Sequence, residues 1–234
     1  MEKVSSRIAF TLPDPSLDRP LIGYIRGDEF SIAFDAGASG KHVELFYSEL
    51  GRMKFPLPSL TVISHHHWDH SYGIAAICGI SIANEKTYCH LQEDMNTPKE
   101  NLFFSIADDY DYIRKEYLNP ENIAIKLPDL TYKERMTIYM GDIKAELYHT
   151  ESPHTDDSTL LYIPEEKVLF AGDAASGVIE TAKDLETGGK YNREKTISLI
   201  NTIKEINPLL IIDSHSGITS LEEELSYLES KLED

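Results

Sequence analysis

Apolar positions along this chain follow two periods that take turns. Short β-branched or aromatic runs bounded by turn residues predict strands over Arg7–Leu12, Leu21–Arg26, Phe30–Asp35, Leu60–Ser64, Ile80–Ala83, Ile123–Lys126, Glu134–Tyr139, Lys144–Tyr148, Val168–Phe170 and Leu209–Asp213, with one more opening at Ser158. Gly27-Asp28-Glu29 and Met140-Gly141-Asp142 carry the turn residues of two hairpins. Helical spacing covers Gly40–Leu50, Gly73–Ile77, Glu85–Asp94, Asp108–Leu118, Arg193–Ile206 and Leu221–Lys231. Interleaved strands and helices predict an α/β fold, and spacing by itself says no more. No linker or repeat interrupts the 234 residues, so 1–234 are expected to form one domain.

One run departs from both periods. Directly after Leu60-Thr61-Val62-Ile63-Ser64 stand His65-His66-His67-Trp68-Asp69-His70, four histidines and an aspartate in six residues. Neutral imidazoles beside a carboxylate suit a divalent cation better than a core. On a strand-end loop His65 and His67, two apart, project to the same side of extended backbone and can share an ion, while Asp69 and His70 can reach a second. An expression tag would be terminal and uninterrupted by Trp68 and Asp69.

This His-x-His-x-Asp-His pattern resembles the signature of the metallo-β-lactamase fold hydrolase superfamily, and later segments resemble its other motifs in order. Ser152-Pro153-His154-Thr155-Asp156-Asp157-Ser158-Thr159 is similar to the next histidine loop, and Ala171-Gly172-Asp173-Ala174 to the loop of a carboxylate shared by two ions. Ser214-His215-Ser216-Gly217 is similar to the last histidine loop, and Phe34-Asp35-Ala36-Gly37 to the first motif. The resemblance implies a four-layer αβ/βα sandwich with a dinuclear metal site at the edge of its two sheets. It implies that His65, His67 and His154 hold one ion and Asp69, His70 and His215 the other, with Asp173 bridging and Asp35 orienting a ligand histidine from behind. Two Zn²⁺ are the expected ions, and iron or manganese also fits such a mixed site. His42, His66, His90 and His149 are read as surface or satisfied core residues, His149 standing close enough to line the pocket wall. Asp156 and Asp157 are read as capping or solvating their loop.

The chemistry implied is hydrolysis. Two dications against two carboxylates leave a positive centre in which a bridging water ionises near neutral pH and attacks a carbonyl carbon or phosphorus. Asp69 is the candidate catalytic residue, holding that nucleophile and later carrying its proton.

Composition narrows the partners. Forty Asp and Glu against 22 Lys and Arg give a formal charge of −18, which argues against nucleic acid. Clusters such as Leu221-Glu222-Glu223-Glu224-Leu225 read as solvated helix faces. No apolar run is long enough to span a bilayer, and residues 1–16 lack a signal-peptide core, so a cytoplasmic protein without a membrane partner is expected. Cys78 and Cys89 are read as buried apolar fillers in a reducing compartment.

Substrate is read from what surrounds the motifs. Gln92–Asn122, with Phe103, Phe104, Tyr110, Tyr112 and Tyr117, is taken as a covering layer rather than a lid, and Ala174–Gly189 as a pocket rim. Within the resemblance the ligand set is glyoxalase II-like, but nineteen residues follow His215, too few for that family's glutathione-binding C-terminal domain. Asp173 argues against β-lactam hydrolysis, and Ala174-Ala175-Ser176 lacks the tyrosine of quorum-signal lactonases. The expected function is hydrolysis of a small ester, thioester or lactone; the alternatives are a small-molecule phosphodiesterase and a non-catalytic metal-binding member of the fold. A homodimer is the assembly to expect if there is one.

Overall fold

Ile32 and Phe34 leave their strand on one side and Ala33 on the other, yet all three are buried. A strand apolar on both faces must be covered twice. The computed structural model, which describes residues 1–103, 111–178 and 189–232, covers it with a second sheet and with helices.

The first sheet has seven strands in sequence order: β1 (Glu2–Lys3), β2 (Ile8–Phe10), β3 (Gly23–Arg26), β4 (Ser31–Phe34), β5 (Leu60–Val62), β6 (Ile80–Asn84) and β7 (Leu130–Tyr132). Its first four strands are antiparallel and β4 to β7 run parallel. The second sheet has six, ordered β13-β12-β11-β10-β9-β8. These are β8 (Arg135–Tyr139), β9 (Lys144–Thr150), β10 (Ser158–Ile163), β11 (Val168–Gly172), β12 (Leu210–Asp213) and β13 (Gly217–Ser220). Only the β11–β12 pairing there is parallel.

Period-two alternation sorts the side chains. Phe10, Ile25, Ile32, Phe34 and Val62 meet Leu147, Leu161, Ile163, Phe170 and Ile212 between the sheets, with the rings of Phe34 and Phe170 5.5 Å apart. Each such side chain, fully buried, contributes roughly 1.5–3 kcal/mol. On the outer face of the first sheet, α1 (Gly40–Met53) lays Phe46 and Leu50 against Ile22, Tyr24 and Ala33. Outside the second, α5 (Arg193–Ile206) and α6 (Leu221–Ser230) lay Leu199, Ile203 and Leu228 against Leu160, Leu169 and Ile211. The layers are helix, sheet, sheet, helix: a four-layer αβ/βα sandwich. Side-chain caps at Ser39, Asn84, Asn192 and Ser220 start α1, α3 (Glu85–Asn96), α5 and α6.

Several expectations change. Ile123–Lys126 forms no strand: Ile123 and Ile125 pack into the helical layer beside Leu91 and Ile113, and the ladder position falls to Leu130–Tyr132. The strands Glu2–Lys3 and Gly217–Ser220 were too short or too polar to read. Asp69 and His70 lie on a helical turn, α2 (Trp68–Ser71), rather than on a loop, and a 3₁₀ turn over Tyr72–Ala76 replaces the helix expected at Gly73–Ile77. Cys78 and Cys89 are exposed, not buried: Cys78 sits in the turn that leads into β6, and Cys89 on the outer side of α3. Glu224 is not solvated: it is buried under α6. Phe103 of the 92–122 stretch, with Tyr112 and Tyr117 of α4 (Tyr112–Tyr117), packs with Trp68 and Tyr72; Phe104 and Tyr110 lie outside the described residues. Among the described residues no helix is long and apolar enough to cross a membrane.

Candidate metal centre

Strand ends at one edge of the sandwich deliver every motif residue. After β5 the chain stays paired for one residue, Ile63 N donating to Ile82 O at 2.9 Å, and then leaves the sheet at Ser64 and His65. Thr159 N of β10 donates to Ser64 O at 2.6 Å, so the two sheets are stitched together where the histidine run begins. A tight turn displays His154: Ser152 Oγ accepts the amides of His154 and Thr155, both at 3.2 Å. Asp173 follows a register shift between Phe170 and Gly172. Gly172 has φ +59, and a Cβ there would lie 2.8 Å from Ser64 Cβ, so only glycine lets this strand end approach the histidine loop. Asp213 Oδ1 accepts the amides of His215 and Ser216 at 3.0 and 2.7 Å and shapes the last turn.

The seven residues meet in two groups. Donor atoms of His65, His67 and His154 lie within 4.8 Å of one another, as do those of Asp69, His70, Asp173 and His215. His154 Nε2 is 3.0 Å from His67 Nδ1. Asp173 Oδ2 stands between the groups, 3.2 Å from His70 Nε2, 3.4 Å from His215 Nε2 and 3.8 Å from His154 Nε2. Asp69 Oδ2 is 3.2 Å from both His70 Nε2 and His215 Nε2.

Asp35 lies behind this cluster. Its Oδ2 is 2.8 Å from His70 Nδ1, and its Oδ1 accepts Ser64 N at 2.7 Å. Ser64 Oγ relays the same carboxylate to His65 Nδ1 at 2.9 Å. Carboxylate backing of this kind fixes the tautomer that turns Nε2 inward.

The two groups differ electrostatically. Burial holds His65 and His154 below the usual imidazole range and takes His67 to about 3, so this group is three neutral imidazoles. Burial alone would lower His70 and His215, but Asp173 and Asp69 raise both well above their usual range. Burial would raise Asp173 and Asp69, yet the charges of His70 and His215 hold both carboxylates down. Carboxylates that favour a cationic imidazole would favour a divalent cation as well, and such a cation would compete with the protons.

The donor chemistry fits divalent metal. Among the described residues, His65 Nε2 and Asp173 Oδ1 are buried with no hydrogen-bond partner. Buried polar atoms left in that state are destabilising by about 1–3 kcal/mol each, and both belong to the cluster that the ligand argument picks out.

Other residues enter that sequence reasoning passed over. Asp18 Oδ1 lies 3.9 Å from His215 Nδ1, and burial together with Asp69 raises its carboxyl to about 6. Its backbone φ of +52 was the kind of signal only structure supplies. Asp157 ties its loop through the Thr155 hydroxyl but is not solvated: it is fully buried, accepts His66 N at 2.9 Å and lies 3.1 Å from His66 Nδ1. His149 joins neither group, its Nε2 lying 2.9 Å from Asp156 O, and His42 is buried with Nδ1 accepting Ala38 N. Of the expected rim, Ala174 and Ala175 are buried in the helix-facing core, Gly177 O lies 3.3 Å from His154 Nδ1, and 179–188 lie outside the described residues.

Known proteins share this architecture. A metallo-beta-lactamase from Pontibacter korlensis superposes with a TM-score of 0.69 at 17% identity, over 99% of this chain and 97% of that one. A metallo-beta-lactamase family protein from Thermus thermophilus gives 0.67 at 14% identity, over 97% and 80%. The sec-alkyl sulfatase PisA1 gives 0.71 at 14% identity, over 99% of this chain and 40% of that one. At such identities the likeness is one of fold. The sequence model of the metallo-beta-lactamase superfamily matches residues 18–215, which run from Asp18 through the last histidine of the cluster, and the chain belongs to that superfamily.

Proposed function

We propose that this chain is a dinuclear zinc hydrolase of a small ester, thioester or lactone. One observation carries the reading: five imidazoles and two carboxylates from four separate strand ends converge on one edge, with a buried nitrogen of His65 and a buried oxygen of Asp173 left for an ion to satisfy. When bound, a pair of divalent ions supplies Lewis-acid polarisation and an ionised water at neutral pH.

The chain's own side chains do the rest. Asp173 is placed to be shared by both groups, within 3.8 Å of His154, His70 and His215. Asp69, kept ionised by its two histidine neighbours, holds a proton acceptor at the same edge and is the residue assigned proton transfer. Asp35 keeps His70 from rotating, and Asp18 faces the outer nitrogen of His215.

The test is elemental analysis of untagged protein paired with thioester, lactone, ester and phosphodiester substrates, with and without chelator. Two zinc ions per chain with chelator-sensitive ester, thioester or lactone turnover is the expected result. Turnover confined to phosphodiesters would move the assignment to a small-molecule phosphodiesterase. Bound metal without turnover would make this a binding member of the fold, and iron would replace zinc in the assignment. Protein that binds no metal would sink the reading.

A further inference from the structure

Two histidines outside the seven-residue cluster meet each other. His66 leaves the loop after β5 and His90 rises from α3, and their rings lie 4.3 Å apart. Asp157, from the turn between β9 and β10, joins them: one donor atom from each of the three lies within 4.8 Å of the others. Three distant segments of chain therefore converge on one point.

The carboxylate is what makes the arrangement unusual. Asp157 has no exposed side chain, whereas His66 and His90 keep 24% and 32% of theirs open. A buried carboxylate has to be paired, and Asp157 spends both oxygens on His66, one on the amide and one near Nδ1, with the Thr155 hydroxyl donating as well. Further negative charge surrounds the two rings. Asp156 Oδ1 is 2.8 Å from His90 Nε2. Asp94, which accepts the Tyr72 hydroxyl at 3.0 Å, faces both His66 and His90. Lys86 offsets part of this, 3.3 Å from Asp156, but it is also drawn to Glu151 at 2.6 Å. Two imidazoles and a buried carboxylate, ringed by two more carboxylates and open to solvent on the histidine side, form the donor set of a transition-metal site.

We propose that His66, His90 and Asp157 form a third divalent-cation site, separate from the dinuclear cluster and selective for zinc-like ions over calcium or magnesium. An ion there ties α3 to the loop carrying His65 and His67 and to the turn carrying His154. Its role is to clamp those loops, and it takes no part in the reaction.

Zinc stoichiometry at matched free zinc, read by elemental analysis after equilibrium dialysis, compares the full chain with His90→Ala. His90 lies on the open side of α3, so the variant keeps the fold, which far-ultraviolet circular dichroism checks. The wild-type chain is expected to hold one more zinc than His90→Ala, and to gain more in melting temperature on zinc addition. The difference is informative whatever number the dinuclear cluster itself holds. Equal stoichiometry in the two proteins would overturn the proposal.

Discussion

Oδ2 of Asp35 lies 2.8 Å from Nδ1 of His70, and the same oxygen accepts Ser64 Oγ at 3.0 Å, so one buried carboxylate steers both His70 and His65. Such backing is worth about 10–100-fold in metal affinity. Asp35→Asn should therefore weaken zinc by that factor in a chelator competition while leaving the far-ultraviolet spectrum intact. Unchanged affinity would remove Asp35 from its supporting role.

Asp173 Oδ2 lies within 3.8 Å of histidines of both groups, and Oδ1 has no partner among the described residues. Asp173→Ala is expected to abolish turnover, by at least ~100-fold, and to reduce bound metal below two ions per chain. A variant that kept both ions and full activity would contradict the dinuclear reading.

Arg19 and Glu116 form a forked ion pair, Nε to Oε2 at 3.0 Å and an outer nitrogen to Oε1 at 2.8 Å, with side chains only 6% and 1% exposed. Removing one partner strands a buried charge, which destabilises by about 3–5 kcal/mol. Urea denaturation of Glu116→Ala should show a loss of that order; a loss under ~1 kcal/mol would mean water reaches Arg19.

Burial, with Asp213 adding to it, raises the Glu224 carboxyl from 4.5 to about 7. The fold thus favours its neutral form: the stability this contributes is complete below pH 4.5 and is lost as pH rises through 7. Glu224→Gln keeps the neutral form at every pH, so relative to wild type it should gain up to ~3 kcal/mol between pH 5 and pH 8. Denaturant midpoints at the two pH values measure this, and a constant gap between the proteins would refute it.

At Gly172 a Cβ meets Ser64 at 2.8 Å and must adopt φ +59. Gly172→Ala should lower stability by about 1–3 kcal/mol and also weaken zinc, because both Ser64 and Asp173 must move. Lowered melting with unaltered zinc affinity would separate the strain from the site.

What was readable in the sequence was whatever a local run of residues determines. Ile32-Ala33-Phe34 is apolar on both faces and so announces a doubly covered strand; Arg193–Ile206 keeps one apolar stripe throughout and was bounded to the residue. The seven clustered residues were nameable because four short motifs beside strand ends resemble those of the superfamily. Ile123–Lys126 misled because its apolar residues face a helical layer, and strand pairing is a property of neighbours. Asp157, Asp18 and Glu224 were missed for a related reason: whether a carboxylate is buried depends on segments far away in sequence. The pairing of His66 with His90 was equally hidden, since each reads alone as an ordinary surface histidine.

The stitch from Thr159 to Ser64 has a consequence for the order in which the molecule is made. His65, His67, Asp69 and His70 hang from one sheet, and His154, Asp173 and His215 from the other; His70 and Asp173 are 103 residues apart and Asp69 and His215 146. Neither half can present a complete set of donors by itself. Closing loops that long comes late in folding, so cations can be held at full strength only after both sheets have docked. On the proposed function, loading would report on a finished tertiary structure, and an ion in place would act as a lock across the seam between the two halves of the sandwich.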